Sequence, residues 1–140
     1  MRELTVLYDA RCGLCRRFKD WLAAQRPAPD GYGGLVRLRF VAAGSADARA
    51  LYPTLDHAAT LRDVTVVADD GAVYVGDRAW IACLWATGDH RHTAVRLASP
   101  AMRPVARAIV QAAAGLRRVS GGDYADGCDG QCDREGRADA

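Results

Sequence analysis

Leu4-Thr5-Val6-Leu7-Tyr8-Asp9-Ala10-Arg11-Cys12-Gly13-Leu14-Cys15 places a nearly continuous apolar run directly ahead of a Cys-x-x-Cys pair. The run predicts a strand buried on both faces in the middle of a sheet. Such a strand delivers Asp9 and Cys12 to the sheet's C-terminal edge. From Gly13 the apolar residues fall at Leu14, Phe18, Trp21 and Leu22, the spacing of one helix face. The pair thus sits between a strand and a helix. There the helix dipole and the unpaired N–H groups of the first turn stabilise a thiolate, so Cys12 is expected to be the reactive nucleophile. Arg11, Arg16, Arg17 and Lys19 add positive charge. Cys15, further into the helix and expected to be the less exposed of the two, would resolve the mixed disulfide. The same spacing also forms half of many zinc sites, so incidental structural thiols, or a non-catalytic zinc-binding or redox-sensing domain using Cys12, Cys15, Cys128 and Cys132, remain alternatives.

The rest of the chain is compatible with one domain of ordinary size. Its 140 residues are half hydrophobic, enough to bury a core without disulfide staples. A net charge of +2 argues against a nucleic-acid binder driven by bulk electrostatics. The charge is uneven: residues 1–40 carry eight basic and four acidic side chains, whereas residues 119–140 carry two basic and six acidic ones. We read these as two solvated surfaces. No run reaches bilayer-spanning length, and the chain ahead of Asp9 lacks the pattern of a secretory signal. A cytoplasmic protein is therefore expected, and its five cysteines, an odd number, fit a reducing compartment.

After the first helix, Pro27, Pro29, Gly31, Gly33 and Gly34 predict a long turn. Leu35–Val41 reads as a second strand near the sheet edge, with Arg37 and Arg39 facing outward. Asp47–Tyr52 reads as a short helix capped by Ser45, followed by a loop carrying His57. Val64–Ala68 and Ala72–Val75, split by Asp69-Asp70-Gly71, predict a β-hairpin. Asp77 is expected to cap a helix striped with Trp80, Ile81, Leu84 and Trp85 and closed by Gly88. Asp89-His90-Arg91-His92 reads as a polar link, and helical sequence follows over Val95–Leu97 and Met102–Leu116. The order β-α-β-α-β-β-α, with an added C-terminal helical region, is that of a thioredoxin-like α/β core. The expected domain spans residues 1–118, and residues 119–140 form an acidic Gly/Asp-rich tail with a C-x-x-x-C pair.

The strand leading into Asp9-x-x-Cys12-x-x-Cys15 resembles the thiol-disulfide oxidoreductase DCC family, named for its D-x-x-C-x-x-C motif. The similarity extends as a pattern over roughly residues 4–132. It implies a thioredoxin-like fold, a redox-active disulfide, dithiol–disulfide exchange, and Asp9, Cys12 and Cys15 as the catalytic residues. It implies no cofactor or resident metal. The partners it implies are a thiol or disulfide substrate and a reductant, and it is compatible with a membrane-protein partner. Three departures stand out. Ala10 replaces a common glycine, and Asp63 stands ahead of the third strand where thioredoxins carry a cis-proline. The tail bears Cys128 and Cys132.

Asp9 has two compatible readings: a buried carboxylate that relays the Cys15 proton, or an Asx-turn that holds the loop. Cys128 and Cys132 are a second redox pair, or the other half of a zinc site with Cys12 and Cys15, or incidental tail thiols. Cys83, between Ile81 and Leu84, reads as a small buried hydrophobe. His57, His90 and His92 read as surface residues. Trp80 and Trp85 read as core packing, and so does Trp21, which is also positioned to line a substrate groove.

Overall fold

The computed structural model describes residues 1–120, with side chains through residue 116. Strand β1 (Glu3–Tyr8) is the frame of a four-stranded sheet of order β2-β1-β3-β4. It runs parallel to β2 (Arg37–Ala42), from Glu3 opposite Arg37 to Tyr8 opposite Ala42. On its other side it runs antiparallel to β3 (Thr65–Ala68), with Leu4 opposite Ala68 and Leu7 opposite Thr65. The hairpin strand β4 (Val73–Val75) closes that edge. The fold is thioredoxin-like.

Alternation along β1 divides the core in two. Leu4, Val6 and Tyr8 enter one cluster with Leu22, Phe40, Val66, Ala79 and Cys83, beneath α1 (Gly13–Ala23). Leu7 enters the other with Val41, Ala48 and Val67, bordered by Tyr52, Leu55 and Leu61 around α2 (Ala46–Leu51). Because both faces are covered, the strand reads as a nearly continuous apolar run, with Thr5 its one buried polar residue between Leu4 and Tyr8. β2 lies on the open edge, and Arg37 and Arg39 are exposed there, as alternation predicts.

Local chemistry sets the boundaries. Ser45 caps α2 as expected: its Oγ accepts the Ala48 N–H at 3.1 Å while the residue is 1% exposed. The hairpin turns at Gly71, whose φ of +90° suits glycine, and the Ala72 N–H donates to Asp70 Oδ1 at 2.9 Å.

Three expectations are corrected. His57 does not lie in a loop but opens a short helix, α3 (His57–Arg62), capped by Asp56, whose side chain accepts the Ala59 N–H at 3.1 Å. Its Nε2 donates to the Tyr52 carbonyl at 2.8 Å, and the ring is partly buried rather than on the surface. Asp77 does not cap α4 (Asp77–Trp85); Gly76 holds the cap position at φ +64°, and Asp77 is the first helical residue. The polar link is shorter than expected, because Arg91 already begins α5 (Arg91–Leu97). Its Nε donates to the Trp85 carbonyl at 2.9 Å with the guanidinium 4.1 Å from the Trp85 ring centre, satisfying a backbone acceptor at the end of α4.

The added helix is α6 (Arg103–Ser120), with Pro104 in its first turn, where a missing N–H costs nothing. It packs against α1, α4 and α5. No described helix is long and apolar enough to cross a membrane.

Two substitutions test this frame. Leu4→Ala, at a fully buried position, is expected to destabilise the fold by about 2–5 kcal/mol. Ser45→Ala is expected to cost about 1–2 kcal/mol through the lost cap. Urea midpoints read both, and wild-type midpoints would remove the two-sided core and the cap as determinants.

Candidate active site

The chain leaves β1 through a compact turn. The Asp9 carbonyl accepts the Cys12 N–H at 3.2 Å, and Asp9 Oδ1 accepts the Arg11 N–H at 3.0 Å. The Asx-turn reading of Asp9 is therefore present in the structure, with the residue only 3% exposed. Ala10 is fully buried, and no described non-glycine residue has a positive φ, so alanine replaces the usual glycine without backbone strain.

Cys12 is the N-cap of α1, with extended backbone at φ −86° and ψ 118°. Its Sγ accepts the Cys15 N–H at 3.4 Å, taking the place that a serine or aspartate oxygen occupies in other caps. The expected position of Cys12 at the helix start is thus observed, and no disulfide joins Cys12 to Cys15.

Their exposures are the reverse of the expectation. Cys12 is 0% exposed, whereas Cys15 is partly exposed. The cap geometry turns Sγ of Cys12 inward over the first turn, and Cys15 lines a narrow cleft with a cavity volume of about 50 Å³.

The cleft collects residues from most of the chain. Asp9, Leu14, Cys15, Phe18 and Lys19 come from the motif and α1; Thr60, Arg62, Asp63 and Val64 come from the segment entering β3. Trp80 of α4 and Val110, Ala113 and Ala114 of α6 complete it. Asp63 therefore faces the same cleft as Cys15, and no described peptide bond is cis. A carboxylate-bearing extended residue stands where thioredoxins present cis-proline.

The four cations grouped in the sequence separate in space. Arg11, Arg16 and Arg17 are exposed, whereas Lys19 is 8% exposed and lines the cleft, one helical turn from Cys15. Its Nζ lies 5.2 Å from the Tyr8 ring centre and 3.4 Å from Asp20 Oδ1. Trp80, read from sequence as core packing, is instead part of the cleft wall, its ring centre 4.0 Å from that of Phe18. Trp21 stacks on Phe18 and His90 and is 41% exposed, so it is not a core residue. Trp85 packs on the core as expected. His90 is partly buried, with Nε2 3.3 Å from Gln25 Oε1, and His92 is exposed.

A strand, an Asx-turn and a dithiol at a helix start agree with one comparison. The family model of the DCC1-like thiol-disulfide oxidoreductases matches residues 6–123. The chain belongs to that family. No curated protein and no solved structure matches it.

In this DCC1-like chain the third described cysteine has no part in the cleft. Cys83 is fully buried in the core, and burial pushes its thiol up to about 12. Cys128 and Cys132 lie outside the described residues, and so does half of the four-cysteine zinc site. Among the described residues, no group of three His, Cys, Asp or Glu side chains is placed to hold a metal.

Cys83 is expected to stay unmodified by iodoacetamide in the folded protein up to pH 9 and to react once urea unfolds the chain. Peptide mass mapping reads the result, and native-state labelling of Cys83 would contradict its burial.

Proposed function

We propose that Cys12 and Cys15 exchange disulfides with a protein or small-thiol substrate. The carrying observation is the Cys15 N–H directed at Cys12 Sγ at the start of α1, with Cys15 itself opening on the cleft. One thiolate attacks a substrate disulfide; a mixed disulfide forms and the first substrate thiolate leaves. The second thiolate attacks the mixed disulfide, the second substrate thiolate leaves, and a Cys12–Cys15 disulfide remains. Two electrons pass to the substrate, and an external dithiol returns them. Motif order makes Cys12 the attacking sulfur and Cys15 the resolving one, which requires Cys12 to emerge from complete burial.

Asp9 supports resolution in this reading. Its lining of the same cleft as Cys15 supports a role for the carboxylate in taking up or relaying the proton of that thiol.

Insulin or a small disulfide serves as the assay substrate. Cys12→Ser and Cys15→Ser are each expected to abolish turnover, and exchange by the double Ser variant at the wild-type rate would defeat the reading. Asp9→Asn preserves the acceptor for the Arg11 N–H and is expected to slow exchange by about tenfold or more. Unaltered rates from pH 6 to 9 would leave Asp9 as a turn residue alone.

A further inference from the structure

A helix that packs on a domain needs one apolar face, and α6 carries two apolar rows. Ala106, Val110 and Ala113 line a groove against Trp80, Ile81 and Leu84 of α4, so packing accounts for that row. A second row, Met102, Val105, Ile109, Ala112 and Leu116, recurs at intervals of three and four residues, which aligns it along one side of the helix. All five residues are exposed, with Val105, Ile109 and Leu116 between 45% and 60%. Nothing among the described residues covers them.

The turn from α5 sets this row in place. Ser99 Oγ donates to the Arg96 carbonyl at 2.7 Å, the Met102 N–H to the Ser99 carbonyl at 3.1 Å, and the Ala106 N–H to the Met102 carbonyl at 3.0 Å. α5 packs beside α6, and its Val95 is 59% exposed. Two grooves run along α4 and share Asp77 and Ile81. Val95, Arg78 and Arg103 border one and Ile109 borders the other, so cations and exposed apolar groups occupy one side of the molecule. The Asp77 carboxylate at their junction keeps its Oδ2 buried. Among the described residues, neither Arg78 nor Arg103 pairs with a carboxylate. The sequence carries the same bias further. In a chain with 19 basic and 17 acidic side chains, residues 90–118 hold six arginines and no aspartate or glutamate.

We infer that this α5–α6 face docks on a lipid bilayer that carries anionic headgroups. The acyl region takes up the apolar row, and the headgroup phosphates take up the arginines. Other occupants fit only half of the face. A second copy brings the same arginines against these, and like charges oppose that contact. The chain beyond α6 brings acid, but residues 121–140 contain a single large apolar side chain, Tyr124, too little to cover the row. α6 also lines the Cys15 cleft with Ala113 and Ala114, so the bilayer and the cleft flank one helix, about 10–12 Å across. The docking does not depend on the exchange reading.

The full-length chain is sedimented with vesicles of phosphatidylcholine, alone or mixed with phosphatidylglycerol. Partitioning is expected to be about tenfold stronger on the anionic vesicles and to fall as NaCl rises from about 0.1 to about 0.5 M. Val105→Ser with Leu116→Ser removes apolar contact without changing charge and is expected to weaken binding by about tenfold. Arg78→Gln with Arg103→Gln keeps the row and is expected to bring the two vesicle types within about threefold of each other. Urea midpoints check that each variant folds, and neither variant alters Asp9, Cys12 or Cys15, so docking and exchange fail independently. Absence of binding to anionic vesicles, or equal wild-type binding to both types, overturns the proposal. Unaltered binding by the folded serine variant overturns the assigned face. A wild-type dimer that the serine variant dissociates, with no vesicle binding, overturns it in favour of a second copy.

Discussion

The site depends on a strand that has no solvent-facing side. β1 is paired on both edges and packed on both faces, so its chain can carry polar chemistry only where it ends. At that end the backbone groups need partners at once. The Tyr8 carbonyl accepts the Ala43 N–H at 2.7 Å, and the Asp9 carbonyl takes the Cys12 N–H. These bonds pin the turn to the sheet and fix where α1 begins. The N-cap sulfur is therefore placed by the core, and its hydrogen bond to Cys15 follows from that placement. In open α/β sheets the carboxyl ends of parallel strands form the crevice where ligands gather, and β1 and β2 both end here.

Elements whose signals are local and periodic are legible in the sequence. β1 declared itself by continuous burial, α1 by the spacing of Leu14, Phe18, Trp21 and Leu22, and the hairpin by Asp69-Asp70-Gly71 between apolar runs. The misread elements depend on contacts the sequence does not display. α3 has only six residues and one strong apolar anchor, Leu61, so periodicity could not reveal it; the Asp56 cap was the sole local cue. α5 starts at Arg91 because that side chain answers the Trp85 carbonyl, a tertiary bond. Gly76 takes the cap from Asp77 because the turn out of β4 needs a positive φ, which aspartate adopts less readily.

The motif residues were legible, but the cleft was not. Asp9, Cys12 and Cys15 lie within one turn and its helix, so spacing alone brings them together. Asp63, Trp80 and Val110 come from three separate elements, and only packing of α6 and α4 beside α1 unites them. Charge followed the same rule. Four cations near the dithiol looked equivalent in sequence, yet only Lys19 shares the face of α1 that carries Cys15 into the cleft. The arginines stay in solvent, whereas the Lys19 ammonium is buried against the Tyr8 ring and paired with Asp20.

Exposure was the property hardest to infer, because a cysteine's role follows from its surroundings. The same thiol occurs in three settings here. At Cys12 a helix N-terminus offers a hydrogen bond to sulfur. At Cys15 a cleft supplies access. At Cys83 the core supplies neither, and desolvation alone raises the thiol to about 12. At pH 7 that leaves roughly one thiolate in 10⁵ at Cys83, too few to compete for a disulfide. Among the three described cysteines the fold thus sets Cys12 and Cys15 apart without excluding cysteine from the core. It does so by withholding from Cys83 the donor and the opening that it gives separately to the other two.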